Sequence, residues 1–321
     1  MALTETGLIE RFFRACGAQR ADVALGIGDD AALLSVPAGC DLVATTDTLV
    51  AGVHFPHGSP AGSIGHRALA VNLSDIAAMG ARPCWALLAL TLPQAEEAWL
   101  DEFAAGFGGL AREHRVALVG GDTTQGPLCV TVQALGVVTA GGALRRSGAR
   151  AGDALFVSGT PGDAAAGLAL EQSRLQAQPE ERDYLRERFL LPAPRVALGE
   201  RLREFASACI DVSDGLLGDA GKLARASGVA AQLDYDALPV SEALRRAVGE
   251  QRARLLALSG GDDYELCFTV PQGNLARLAA ALPPAAWGYT RIGSVAAGAG
   301  AAVMRDGTVM EFSHSGYQHF A

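Results

Sequence analysis

Residues 115–124 read RVALVGGDTT. The run from Arg115 to Val119 predicts a strand, and it delivers the chain directly into Gly120-Gly121-Asp122. Upstream, Gln94 to Glu113 predicts a helix despite its glycines, and before it Trp85 to Leu92 predicts a strongly apolar strand. Downstream, Leu128 to Val138 predicts another strand, ending before Ala140-Gly141-Gly142. Strands and helices alternating in this way, with glycine and aspartate at the joints, predict an α/β or α+β chain.

The same grammar extends outward. Glu5 to Cys16 has helical spacing, with Leu8, Ile9, Phe12 and Phe13 on one face. Gly26 to Asp30 forms a Gly/Asp turn, Asp41 to Thr46 predicts a strand stopping at Asp47, and Ile64 to Met79 predicts a helix ending near Gly80. The polar stretch Arg145 to Asp153 lacks apolar periodicity, which divides the chain into units 1–145 and 146–321. Beyond it, Ala154 to Ser158 predicts a strand, then a turn and a helix from Ala164 to Leu170. Gln172 to Arg188 predicts a solvated helical region, Arg195 to Phe205 a helix, Leu216 to Ala226 a helix leaving Asp211-Val212-Ser213-Asp214-Gly215, and Tyr264 to Val270 a strand after Gly260-Gly261-Asp262-Asp263.

Composition narrows the function. The chain has 321 residues, 50% hydrophobic and 19% charged, enough apolar material for sizeable cores and incompatible with disorder throughout. Acidic residues outnumber basic ones, 35 to 26, a net charge of −9 that disfavours a phosphate backbone as partner, so no nucleic acid is expected. Cys16, Cys40, Cys84, Cys129, Cys209 and Cys267 form no C-x-x-C pair, which argues for free thiols rather than a zinc or iron–sulfur site. No basic leader with an apolar run and no membrane-length apolar span is visible, so the expectation is a cytoplasmic protein without membrane contact.

Aspartate recurs beside glycine turns and strand ends, at Asp29/Asp30, Asp47, Asp75, Asp122, Asp211/Asp214 and Asp262/Asp263. A single such residue is explained by capping a turn or helix. The set, with hydroxyl neighbours Thr45, Thr46, Thr123 and Ser213, asks for more. Carboxylates gathered together repel one another, and divalent cations relieve the repulsion. Oxygen-only donors point to Mg²⁺ or Mn²⁺, and glycines allow a backbone to cradle phosphate. Phosphoryl transfer with ATP suits this set, and metal-assisted hydrolysis competes with it. The G-x-x-x-x-G-K-[ST] loop, the dinucleotide fingerprint and the protein-kinase motifs are absent from the sequence, so a kinase here has another architecture.

The ordered pieces GIGDDAALL, ATTDTLVAGVHF, HRALAVNLSDIAAMGARP, LVGGDTT, VSGTPGDAAAGL, DVSDGLLGDAGKLA and SGGDDYELCFTV span nearly the whole chain. In them the chain resembles the thiamine-monophosphate kinase family, in the superfamily of aminoimidazole ribonucleotide synthetase. The resemblance implies a two-domain fold of that superfamily, with an N-terminal sheet domain, a C-terminal α/β domain and the active cleft between them. It implies transfer from ATP to the phosphate of thiamine monophosphate, in line and without a phosphoenzyme. Several Mg²⁺ ions would be held by Asp30, Thr45, Thr46, Asp47, Asp75, Asp122, Asp211 and Asp214. Gly121, Asp122, Arg146 and Ser213 would contact ATP, and His54, Asp262 and Tyr317 the thiamine substrate. No residue would act as a covalent nucleophile, and the chain would form a homodimer. Position 262 is Asp where the family commonly has Glu, and Tyr317 stands where Trp is common. Phe107, on the helix before Gly120-Gly121-Asp122, is the aromatic proposed for adenine. Three other readings compete: a different enzyme of the superfamily, a non-catalytic nucleotide-binding protein, and a purely structural α/β protein, for which repeated Asp/Gly clusters would be a wasteful construction. A selenium-handling enzyme would need a reactive loop that the surroundings of Cys16 do not provide.

Overall fold

The computed structural model describes residues 4–312 together with 316 and 317. Its contacts divide the chain into two units, one of Met1–Ile76 with Ala81–Gly142 and one of Ala77–Gly80 with Ala143–Ala321.

The first unit begins with the short helix α1 (Glu5–Leu8), continued by a wider π-type turn over Ile9–Phe13. The hairpin β1 (Val23–Leu25) and β2 (Leu33–Leu34) follows, and between its strands lies the Gly26–Asp30 turn. Arg20 and Trp85 both donate to the Asp22 carboxylate, at 2.8 and 3.1 Å, which ties the entry of this hairpin to the main sheet. That sheet contains β3 (Cys40–Val50), β4 (Arg82–Leu92), β5 (Ala117–Gln125) and β6 (Cys129–Thr139), in the order β3-β6-β4-β5. The helix α2 (Ala61–Ala78) leads into β4, and α3 (Glu97–Glu113) is the crossover from β4 to its parallel neighbour β5. Ala86, Leu88, Leu90, Val130 and Val132 are buried in the sheet, as are Leu69, Leu73 and Ile76 of α2.

Two strands run further than their composition predicts. β3 carries Asp47 in its interior instead of stopping there, because it pairs with β6 without a break from Cys40 to Val50. β5 likewise carries Gly120, Gly121 and Asp122 within the strand. Pairing with a neighbouring strand, unbroken along β3 and resumed at Gly120 of β5 after an irregularity at Val119, outweighs the low strand propensity of Asp and Gly.

The glycines of α3 also acquire a reason. A Cβ on Gly106 would overlap the Gly62 carbonyl of α2, and one on Gly65 would overlap the Phe103 carbonyl, so α2 and α3 meet backbone to backbone. Phe103 and Phe107 are fully buried and stacked at 6.4 Å, so Phe107 belongs to this packing and cannot present its ring to adenine.

The second unit runs β7 (Ala154–Ser158), α4 (Asp163–Glu171), α5 (Pro179–Leu190), α6 (Val196–Leu202), β8 (Ala208–Val212), α7 (Leu216–Ser227), β9 (Ala230–Asp234), α8 (Glu242–Val248), α9 (Glu250–Ser259), β10 (Glu265–Val270), then, after three short helical segments, β11 (Tyr289–Ala296), β12 (Gly300–Arg305) and β13 (Thr308–Met310). Its seven-stranded sheet has the order β13-β12-β9-β11-β7-β10-β8, with β12 and β9 parallel. Leu216, Leu217, Ala220, Leu223 and Ala224 of α7 pack on Ile210, Val212, Leu233 and Val303 of this sheet. That packing settles where α7 begins and therefore how the turn before it is aimed.

Gly106→Ala is expected to destabilise the protein by about 2 kcal/mol or more despite the better helix propensity of alanine, because the added methyl must push α2 and α3 apart. Gly109→Ala, three residues on in the same helix with nothing within 4 Å of its Cβ position, is expected to stabilise by ~0.5–1 kcal/mol. Urea unfolding of both variants checks the pair; equal effects would refute the close helix contact.

Candidate active site

In the first unit the candidate residues fall into two groups. Thr45 donates to Asp75 Oδ2 of α2 at 2.5 Å. Asp47, two residues further along β3, shares the face of Thr45. Burial, and then the charge of Asp75, push the Asp47 carboxyl up to about 6. Thr46 points to the opposite face, where its hydroxyl donates to the Val132 carbonyl at 3.1 Å. The register pairs Asp47 with Val132, Val132 with Leu88 and Leu88 with Gly121, placing Asp47 and Gly121 in one row across the sheet. Asp122 lies in the next row with Ala89, Thr131 and Thr48, hence on the face of Thr46.

On that second face opens a cavity of about 640 Å³, lined by Asp29, Asp30, Gly121, Asp122 and Thr123 on one side and by apolar groups including Phe13 and Leu87 on the other. The Asp30 amide donates to Asp29 Oδ1 at 2.8 Å, so Asp29 shapes the turn that presents Asp30. Gly121 has φ +151°, and a Cβ there would overlap the Leu88 carbonyl, so no larger residue fits this point of β5. His54 follows β3, and its Nδ1 accepts the Val50 amide at 3.0 Å, which occupies that nitrogen and orients the ring.

In the second unit a single turn carries the candidates. Asp211 is buried near the end of β8, and Ser213 and Asp214 lie in the turn between β8 and α7. Asp219 Oδ2 accepts the amides of Ser213, Asp214 and Gly215 at 3.0, 3.0 and 3.2 Å. Burial raises the Asp219 carboxyl, opposed by Lys222 and by the turn amides. The carbonyl of Ser213 accepts the Asp262 amide and that of Asp214 accepts the Tyr317 amide, both at 2.9 Å. Tyr264 N–H donates to the Val212 carbonyl at 2.8 Å. Asp262 and Tyr264 have φ of +70° and +51°, an unusual backbone for non-glycine residues. It is held in place from below by Asp263, whose carboxylate accepts the amides of Gly162 and Ala164 at 2.8 and 3.3 Å. Tyr317 is half exposed. Arg146 is exposed, and its carbonyl accepts the Ser227 hydroxyl at 2.9 Å.

Several contributors escaped the sequence reading. Asp219 and Lys222 look like ordinary charges on a helix, although their spacing of three residues was a visible sign of pairing. Glu265 is completely buried and accepts from Ser158, Arg188 and Arg195. Burial alone would raise its carboxyl, and Arg195 and Arg188 outweigh that and hold it below the ordinary value.

Among the described residues no three His, Cys, Asp or Glu side chains converge closely enough to hold a metal unaided. The donors present are carboxylates, hydroxyls and backbone oxygens, and the charge of Asp75 adds to burial in raising the Asp47 carboxyl. Magnesium keeps waters and takes phosphate oxygens alongside few protein ligands, so this donor set fits Mg²⁺ completed by a phosphorylated substrate. No described helix is long and apolar enough to cross a membrane.

Comparison with known proteins shows the family. Residues 28–138 match the model of the AIR synthase related protein N-terminal domain, and residues 150–306 that of the C-terminal domain. The thiamine-monophosphate kinase of Salmonella typhimurium is 50% identical over 324 residues, covering 100% of this chain and 99% of that protein. The crystal structure of thiamine-monophosphate kinase from Stenotrophomonas maltophilia is 51% identical with a TM-score of 0.87, covering 97% of this chain and 99% of that one. AaThiL complexed with AMPPCP and TMP is 33% identical with a TM-score of 0.79, covering 92% of each chain.

Asp47 yields a pH test. In the folded, metal-free chain it keeps its proton up to about pH 6, while an unfolded carboxyl releases it near ~4. The folded state then binds more protons between those values, so stability falls as pH rises through this window and stays lower above it. Asp47→Asn is expected to match wild type at pH 4 and to exceed it by ~1 kcal/mol at pH 7.5 without metal. Urea unfolding at both pH values measures this, and a variant less stable than wild type at pH 7.5 refutes it.

Proposed function

From the chain's membership of the AIR synthase related family, and within it of the thiamine-monophosphate kinases, we propose that it transfers the γ-phosphoryl group of ATP to thiamine monophosphate, giving ADP and thiamine diphosphate. The observation that carries this is full-length similarity at 50% identity to a protein of that activity. The site chemistry supports it. The acceptor is a phosphate oxygen that is already ionised, so the reaction needs alignment and charge neutralisation more than a strong base.

In this reading Asp30, Thr45, Thr46, Asp47, Asp75 and Asp122 of the first unit and Asp211 and Asp214 of the second hold Mg²⁺. The hydroxyls of Thr45 and Thr46 donate to Asp75 and to the Val132 carbonyl, which leaves their oxygen lone pairs for the cation. Bound magnesium supplies the positive charge that lets two polyanions approach. Gly121 and Ser213 leave room for the nucleotide, and Arg146 reaches its phosphates. His54, Asp262 and Tyr317 bind the thiamine end, with the aspartate one methylene shorter than the common glutamate and the tyrosine ring smaller than the common tryptophan. Transfer is direct: Nδ1 of His54 is engaged by the Val50 amide, which favours a positioning role over a phosphoryl carrier. The reading includes a cytoplasmic location and a homodimer. β3, 11 residues long, lies at a sheet edge with Leu42 half exposed, and a second copy would cover it.

Purified protein with ATP, Mg²⁺ and thiamine monophosphate is expected to form ADP and thiamine diphosphate in equal amounts, and free thiamine should give no thiamine diphosphate in one step. ADP without thiamine diphosphate would overturn the acceptor. Asp47→Asn and Asp122→Asn should each lower kcat on the order of 10²-fold or more while remaining folded. His54→Asn should raise KM for thiamine monophosphate more than for ATP. With γ-labelled ATP and Mg²⁺ alone the protein should stay unlabelled, and a labelled His54 consumed at the turnover rate would convert the mechanism to covalent transfer.

A further inference from the structure

Lys222 Nζ lies 2.5 Å from Asp214 Oδ2 and 2.7 Å from Asp219 Oδ1, bridging the two carboxylates. They differ in kind. The Asp219 side chain is 1% exposed, and its other oxygen is committed to three backbone amides of the turn. The Asp214 side chain is 38% exposed and contributes no such anchoring. One end of the bridge is therefore fixed and the other opens to solvent.

We propose that Lys222 is a tethered counter-ion for Asp214: its ammonium neutralises that carboxylate while no divalent cation is bound and yields it when one arrives, and so sets how tightly this half of the site takes Mg²⁺. The proposal rests on the assignment of Asp214 as a magnesium ligand. A lysine suits the task, because its compact charge sits on a flexible stem and can keep Asp219 while releasing Asp214. A divalent cation approaching Asp214 meets the like charge of the ammonium, which weakens its binding. In the metal-free chain the same ammonium keeps Asp214 and Asp219 from facing each other as bare anions. Removing the charge therefore acts twice in one direction: the metal-free form loses stability and the metal-bound form is relieved of a repulsion.

The test uses full-length, nucleotide-free protein. Mg²⁺ binding is measured by titration calorimetry at constant ionic strength, and thermal melting is followed with and without Mg²⁺. Lys222→Met is expected to lower the Kd for Mg²⁺ about two- to fivefold, the scale of a partly exposed ion pair. It should also lower the metal-free Tm and enlarge the rise in Tm that Mg²⁺ produces. Lys222→Gln, which keeps a hydrogen-bond donor for both carboxylates, should shift all three in the same direction, and Lys222→Arg should behave as wild type. Asp214→Asn separates the two levels of the argument and is expected to weaken Mg²⁺ binding at least severalfold. If it does, and neither Lys222→Met nor Lys222→Gln tightens binding, the counter-ion role is overturned while Asp214 remains a ligand. If Asp214→Asn leaves Mg²⁺ binding unchanged, the ligand assignment and the proposal fall together. Loss of cooperative melting in both uncharged variants, with Mg²⁺ present, would make Lys222 a purely structural residue and also overturn the proposal.

Discussion

The Asp219 carboxylate binds three successive amides, and most of the C-terminal candidates are placed through the turn it closes. Ser213 and Asp214 are members of the turn. Asp262 and Tyr317 hydrogen-bond to its carbonyls through their own amides. Arg146 stands apart from this arrangement. A carboxylate buried to this degree is costly unless its oxygens are satisfied. Here the cost is met by the backbone amides of the turn that carries Ser213 and Asp214, so satisfying Asp219 and aiming the turn are one event. The packing of α7 on its sheet carries Asp219 to the required place, which links the hydrophobic core to the site through one side chain.

Buried charge is handled similarly one layer deeper. Glu265 begins β10 immediately after the strained Asp262–Tyr264 segment, and its two oxygens are satisfied by Arg188, Arg195 and Ser158. Asp263 is fixed by amides at the start of α4. Positive φ values at Asp262 and Tyr264 persist because the residues on either side have little freedom to relax. A glutamate at position 262 would extend from the same strained backbone, so the aspartate shortens the reach of the side chain without changing how the turn is held.

The alternation of elements was legible in the sequence because amphipathic spacing is local. Strand Ala154–Ser158 and the start of α7 at Leu216 follow the apolar pattern directly. Strand ends were less legible where Asp47 and Gly120-Gly121-Asp122 continue a ladder, since pairing with a distant strand decides them. Gly62, Gly65 and Gly106 read as weak points of helices, and their value lies in a contact between two helices that no local pattern reveals. Phe107 was a reasonable ring for adenine by position, and helix rotation buries it. The acidic positions themselves stand out by their glycine and hydroxyl neighbours. Asp219, Lys222 and Glu265 do not, because a charge on a helix or at a strand start resembles a solvated one until the fold surrounds it.

Strand geometry imposes a last constraint on the N-terminal half. Thr45, Thr46 and Asp47 are consecutive on a regular strand, so their side chains cannot all point to one side. Thr45 and Asp47 face the helix that carries Asp75, and the Thr46 hydroxyl, on the opposite face, is held by the Val132 carbonyl. Asp122 lies on the face of Thr46, beside the cavity that Asp30 also lines. A single ion bound by all these side chains is therefore excluded by the pleat. Separate ions, each with one or two protein oxygens, are compatible with it, and waters and phosphate oxygens would then supply the rest of each coordination shell. This follows from the spacing of two residues per pleat and would hold for any strand bearing the same three donors in succession.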